Sequence, residues 1–272
     1  MLRYQKLKTN TMKMKIAFAI ILLSLSFAVK AQDKSLYKKE VYISGNDTLP
    51  YRILLPLNYD ASRKYPLILV LHGAGERGND NEAQLVHGSY LFLKDSVRQQ
   101  FPAIVVFPQC AANSFWSNAE FKFDSATGKR SLNFRADGEP TASMKLAQEL
   151  LHKIIDEYPV NKKQIYVGGL SMGGMGTFEI VRRNPKLFAA AFPICGGGAA
   201  ATASAMKKVK WWVFHGDVDA VVPASLSQEM VDALKAAGAD VKYSLYPGVN
   251  HNSWDNAFAE PELLSWLFSI KR

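Results

Sequence analysis

Gly168-Gly169-Leu170-Ser171-Met172-Gly173-Gly174-Met175-Gly176 is the stretch from which the rest of the chain can be read. Before it lies Gln164-Ile165-Tyr166-Val167, rich in β-formers, and after it Met172 to Asn184 can run as a helix until Pro185 stops it. Gly169-x-Ser171-x-Gly173 therefore falls where a strand hands over to a helix. A turn that sharp holds its central residue in strained backbone geometry, and side chains at Gly169 or Gly173 would collide across it. Ser171 then projects its hydroxyl from the tip, beside the free amides of a helix amino end, where a developing negative charge is stabilised. The pentapeptide by itself is common; its flanking strand and helix make it a candidate nucleophile turn.

Outward from this turn the pattern keeps alternating. Tyr37–Ser44 and Tyr51–Leu57 read as an opening hairpin turned by Gly45-Asn46-Asp47. Pro66–Leu71 is an unbroken apolar run, as in a parallel strand buried on both faces, and it ends in His72-Gly73-Ala74-Gly75-Glu76-Arg77-Gly78. Residues 82–100 read as one helix interrupted in propensity by Gly88. Ala103–Phe107 is a further buried strand, and Thr141 or Ser143 can cap a helix that Pro159 ends. Downstream, Phe188–Ile194, Lys210–Phe214 and Val241–Tyr246 read as strands, and Ser225–Ala237 and Glu260–Ile270 as helices. The expectation is one α/β domain over 32–272, with a mostly parallel central sheet and helices on both faces. Residues 111–140 break the rhythm with aromatic residues among Gly, Asp, Ser and Lys. They are expected to form an excursion over the carboxyl edge of the sheet, as a rim or lid or as a solvent-facing hairpin.

The formal charge of +9 suggests an acidic partner until its distribution is examined. Residues 1–31 hold Arg3, Lys6, Lys8, Lys13, Lys15 and Lys30 and no acid; without them 27 basic residues face 24 acidic ones, a net +3. No remaining stretch is a dense basic run, so nucleic acid is not an expected partner. The same 31 residues read as an export signal: a basic region, the apolar run Ile16–Val29, then Val29-Lys30-Ala31 with small residues at the cleavage positions. The mature chain would begin at Gln32, in the periplasm or outside the cell, with no stable membrane insertion. Cys110 and Cys195 each follow a strand at the same sheet edge, and spacing leaves their pairing open.

The chemistry collects at that edge, where parallel sheets bind ligands. His215-Gly216-Asp217-Val218-Asp219 follows one strand and Pro247-Gly248-Val249-Asn250-His251 follows the last. A serine hydroxyl needs an imidazole to accept its proton, and the imidazole needs a carboxylate to fix its tautomer. Ser171, Asp219 and His251 are the candidates, in that order. Asp217 sits in the tight turn, where Asp commonly bonds backbone, and Asp255 is a weaker third acid. His72 and His215 are expected to shape their loops by hydrogen bonding. An oxyanion would be held by the amides of Met172 and Ala74. Trp116 and Trp254 are candidates for stacking on a sugar or phenolic ring. No cluster has metal-ligand spacing, and Gly196-Gly197-Gly198 lacks the Lys of a phosphate loop, so neither metal nor organic cofactor is expected.

These pieces, together with Pro108-Gln109-Cys110, His215-Gly216-x-x-Asp219-x-x-Val222-Pro223 and His251-x-x-Trp254, resemble an α/β-hydrolase esterase group. That group contains polyhydroxybutyrate depolymerases, feruloyl esterases and acetylxylan esterases, and its members are often described as predicted peptidases or phospholipases. The resemblance spans nearly all of the chain after residue 31. It implies Ser171 as nucleophile, Asp219 as acid and His251 as base, but does not fix the substrate; family analogy taken with export and with Trp116 and Trp254 favours a small-molecule or oligosaccharide ester, with feruloyl or acetyl esters of plant polysaccharide foremost. A serine peptidase with the same residues is the nearest alternative. A catalytically inactive carbohydrate-binding protein is the alternative from another class.

Overall fold

The computed structural model describes residues 33–124 and 129–272; the expected export signal at 1–31 lies outside the described residues. An eight-stranded sheet has the order β1-β2-β4-β3-β7-β8-β9-β10. Its strands are β1 (Lys38–Ser44), β2 (Asp47–Leu54), β3 (Tyr65–Leu71), β4 (Ile104–Pro108), β7 (Val160–Leu170), β8 (Ala190–Ile194), β9 (Lys210–Gly216) and β10 (Val241–Tyr246). From β4 to β10 every neighbouring pair is parallel, while β2 runs antiparallel to β1 and β4. Crossovers between parallel neighbours carry helices, which cover both faces. Along β3 the side chains alternate between two cores: Leu67, Leu69 and Leu71 pack on one face, Ile68 and Val70 on the other.

The first face is covered by α3 (Ala142–Glu157), α4 (Met172–Arg183) and α5 (Ala224–Ala236). The second takes α1 (Ser89–Leu93) and α2 (Asp95–Gln100), with α6 (Trp254–Ala259) and α7 (Leu263–Ser269). Thr141 caps α3, its Oγ1 accepting the Met144 N–H at 3.2 Å while its hydroxyl donates to Phe115 O at 2.6 Å.

The single helix expected over 82–100 is broken. A 3-10 turn at Ala83–Leu85 gives way to α1 and α2, with Gly88 immediately before α1 at φ +77°. A side chain there would collide with the Phe258 ring of α6, so the close approach of α6 and the left-handed turn both require glycine. The pattern also did not reveal α6, or the 3-10 segment Ala200–Met206. In the 111–140 excursion, β5 (Ala119–Asp124) and β6 (Lys129–Phe134) pair antiparallel as a separate two-stranded sheet. Its return leg is latched to α4: Arg182 donates to Ala136 O at 3.1 Å and Arg183 to Gly138 O at 3.0 Å. Both guanidinium groups are aligned by the nearly buried Glu179, at 2.6 and 2.7 Å.

Candidate active site

The turn between β7 and α4 leaves no room for side chains at its two flanking glycines. A Cβ on Gly169 would lie 2.5 Å from Leu71 O and 2.6 Å from Gly173 O, and one on Gly173 would fall on Leu71 O itself. Backbone thus touches backbone where β7, α4 and the end of β3 meet. Ser171 pays with φ +54° and ψ −116°, a conformation that L residues rarely adopt. The surroundings hold it there: Ser171 N–H donates to Ile194 O at 2.9 Å, and Met175 N–H to Ser171 O at 3.0 Å.

Loops after β9 and β10 bring the other two candidates to this serine. His251 Nε2 lies 3.0 Å from Ser171 Oγ, and His251 Nδ1 lies 2.8 Å from Asp219 Oδ2. A carboxylate only accepts, so Nδ1 carries the proton and Nε2 turns a lone pair toward the serine hydroxyl. Asp219 has no exposed side-chain surface, and its Oδ1 accepts the N–H groups of Val221 at 2.8 Å and Val222 at 2.9 Å. Its competitors face elsewhere. Asp217 Oδ1 accepts the Gly248 N–H at 2.7 Å, tying the two loops together, and Asp255 accepts from the Asn252 side chain at 3.2 Å. Asn250 Oδ1 adds a second tie by accepting the N–H of Ala220 at 2.9 Å and of His251 at 2.8 Å.

The loop after β3 is braced by groups that never reach the serine. His72 Nδ1–H donates to Gly73 O at 2.6 Å, and Nε2 accepts the Cys110 N–H at 2.9 Å. A ring nitrogen that accepts an amide hydrogen cannot itself be protonated, and burial pushes the His72 pKa down to about 4. Gln109, fully buried, donates to Glu76 O at 3.1 Å and to Asp80 at 2.8 Å, while its oxygen accepts the Asn81 N–H at 2.7 Å. This bracket escaped the sequence reading, although Pro108-Gln109-Cys110 at a strand end was its visible trace. Held this way, Ala74 opens an exposed 3-10 turn at Ala74–Glu76. Met172 is the first helical residue of α4, where the amide has no partner within the helix.

The two tryptophans part company. Trp116, expected as a stacking surface for substrate, is fully buried; its indole N–H donates to His72 O at 3.2 Å, and its Cβ crowds Gly176 of α4. It supports the β3 loop from beneath and presents no face to a ligand. Trp254 is half-buried beside the site, its ring 5.3 Å from the His251 ring and 5.0 Å from that of His87. The cysteines are free and buried, and burial pushes their thiols up, Cys110 to about 11 and Cys195 to about 12. Cys195, Asp219 and His251 offer potential ligand atoms within 4.8 Å of one another. A metal would need the Cys195 thiolate that burial opposes.

Comparison with known proteins adds the lineage. A family model described as "Putative esterase" matches residues 44–212. Among curated relatives, endo-1,4-beta-xylanase Y of Acetivibrio thermocellus is 27% identical over 153 residues, 53% of this chain but only 12% of that protein. Carboxylesterase SOBER1 of Arabidopsis thaliana is 27% identical over 197 residues, covering 68% of this chain and 82% of that one. Of solved structures, a thermostable esterase superposes with a TM-score of 0.78 at 33% identity, covering 88% of this chain and 64% of that chain. A ferulic acid esterase from Anaeromyces mucronatus in complex with ferulic acid superposes at 0.62 with 16% identity, covering 84% of this chain and 89% of that one, a likeness of fold. The chain has the α/β-hydrolase fold and belongs to the family whose model is described as putative esterase.

Proposed function

We propose that the protein is an exported serine esterase working through an acyl-enzyme. The observation that carries this reading is the unbroken hydrogen-bonded line from Ser171 Oγ through His251 to the buried Asp219. Ser171 attacks the ester carbonyl as His251 Nε2 takes its proton, and Asp219 stabilises the imidazolium that forms. The amides of Met172 and Ala74 receive the oxyanion, each worth about 3 kcal/mol to the transition state. His251 then returns its proton to the leaving alcohol, and water repeats the sequence on the acyl-enzyme. The cycle draws on no metal or organic cofactor.

For substrate we favour feruloyl or acetyl esters of a plant-type polysaccharide. The xylanase and ferulic acid esterase likenesses support this, as does the position of Trp254. His251 protonates the leaving alcohol, so the indole beside it borders the alcohol's path and offers a face for a sugar ring. Residues 1–31 serve in this reading as a removed export signal, and Edman sequencing of the secreted protein should begin at Gln32. The main test compares wild type and Ser171→Ala on p-nitrophenyl acetate, then wild type on feruloylated and acetylated xylooligosaccharides, short peptides and phospholipid. Turnover that survives Ser171→Ala would sink the mechanism. Cleavage of peptide with no carbohydrate ester turned over would overturn the substrate class.

A further inference from the structure

We propose that His215 is a positioning residue for the acid, fixing the one Asp219 oxygen that serves His251; this rests on the triad reading above. The two Asp219 oxygens are held unequally. Oδ1 is locked by two backbone N–H groups, from Val221 and Val222. Oδ2, the oxygen facing His251 Nδ1, has no backbone donor among the described residues, and His215 Nε2 lies 3.2 Å from it. That nitrogen also lies 2.9 Å from Val222 O. Both neighbours accept only, so Nε2 carries the hydrogen and shares it between the Val222 carbonyl and Asp219 Oδ2.

The other end of the ring anchors it. At 2.7 Å from His215 Nδ1 and 2.8 Å from Gly196 O, the Ser227 hydroxyl of α5 has a single hydrogen to place between these two acceptors. Gly196 in turn packs against the backbone of Gly174 and Met175, in the first turn of the helix that follows the nucleophile. Acid and nucleophile are thereby referenced to one another through His215 and Ser227, independently of His251. The ring is fully buried, with Asp219 and His251 as the charged or titratable groups facing it, and burial pushes its pKa down. A neutral donor suits the position. It steadies the carboxylate without adding a positive charge that would oppose the His251 imidazolium.

Two near-isosteric replacements separate the ends of the ring. His215→Gln keeps an N–H near the Nε2 position, and His215→Asn keeps an amide near Nδ1 but leaves Oδ2 without its donor. The experiment measures kcat, KM and the pH profile of kcat/KM on p-nitrophenyl acetate, with the melting temperature of each variant, beside Ser171→Ala. Expected for His215→Asn is a fall in kcat of about 10- to 100-fold at unchanged KM, the range that loss of a supporting hydrogen bond costs a catalytic group. The acid limb should also move to higher pH, because the full carboxylate charge then faces His251 alone. His215→Gln should recover most of kcat. Equal losses in both variants that follow the melting temperature, or no change in kcat and pH profile in His215→Asn, would overturn the proposal. Ser171→Ala reports separately on the triad: activity persisting there defeats the esterase mechanism, whereas an inert Ser171→Ala with indifferent His215 variants defeats this inference only.

Discussion

The loops after β3 and β10 each bring a histidine to the same edge of the sheet, and the two rings are held in opposite ways. Both nitrogens of His72 are bonded to backbone, at Gly73 O and Cys110 N, and the residue is 2% exposed. Both nitrogens of His251 face side chains, Asp219 and Ser171, and its side chain is 19% exposed. A ring saturated by amides can neither take nor give a proton without breaking the loop that it braces. A ring between a carboxylate and a hydroxyl can do both. Position at a strand end does not separate a structural histidine from a chemical one; the identity of its partners does.

Removing the proposed base tests the chemical half most severely. His251→Ala should lower kcat on an activated ester by roughly 10^4-fold or more while leaving the melting temperature within a few degrees of wild type. Unfolding instead of inactivation would make His251 a structural residue like its counterpart. His72→Ala should invert that outcome, because it leaves the Gly73 carbonyl and the Cys110 amide without their partner inside the protein. Two orphaned buried groups cost about 2–4 kcal/mol in urea unfolding. Activity should fall as well, since Ala74 is aimed by the same loop. An enzyme that stays fully stable without His72 would break the comparison.

The pH dependence of stability sharpens it further. The His72 pKa drops from 6.5 in the unfolded chain to about 4 in the folded protein, so below 6.5 the unfolded state binds the proton and the folded state does not. The stabilisation is complete above pH 6.5 and is lost as pH falls toward 4. Between pH 7 and pH 5 the loss should be about 2 kcal/mol. His215, whose pKa is also lowered, adds in the same direction. His72→Gln has an amide oxygen for the Cys110 N–H and no titrating ring, so its urea midpoint should fall less over that interval. Parallel curves for the two proteins would mean that the folded ring titrates freely.

How much of this was readable beforehand depends on the range of the contacts. The β7–α4 turn showed itself because its requirements are local: a β-rich run, glycines spaced around a serine, then a helical run ended by Pro185. The strand-end positions of Asp219 and His251 followed from the alternation of elements. The fate of 82–100 did not, because Gly88 is demanded by the Phe258 ring, 170 residues further along the chain, and no local pattern carries that contact. Gln109 and Ser227 stayed hidden for the same reason: their partners at Asn81 and Gly196 meet them only through the fold. A short helix such as α6 has too few turns to establish a period.

Trp116 and Trp254 repeat the contrast on a smaller scale. Both stood as ring-stacking candidates on the same grounds, an aromatic residue in a strand-end loop. The structure gives Trp116 a backbone partner, His72 O, and leaves Trp254 half-buried with two imidazole neighbours. Trp116→Phe removes one indole N–H from a buried carbonyl while keeping much of the ring volume, and should cost about 1 kcal/mol of stability with KM unchanged on every ester. Trp254→Ala should act the other way, raising KM on feruloylated or acetylated oligosaccharide more than on p-nitrophenyl acetate, which has no sugar to stack. Measuring KM for both variants on both substrates decides the matter. A KM shift on oligosaccharide in Trp116→Phe would mean that the β3 loop transmits its support to the substrate-binding face, and that the line between bracing residue and binding residue is less sharp than the two histidines suggest.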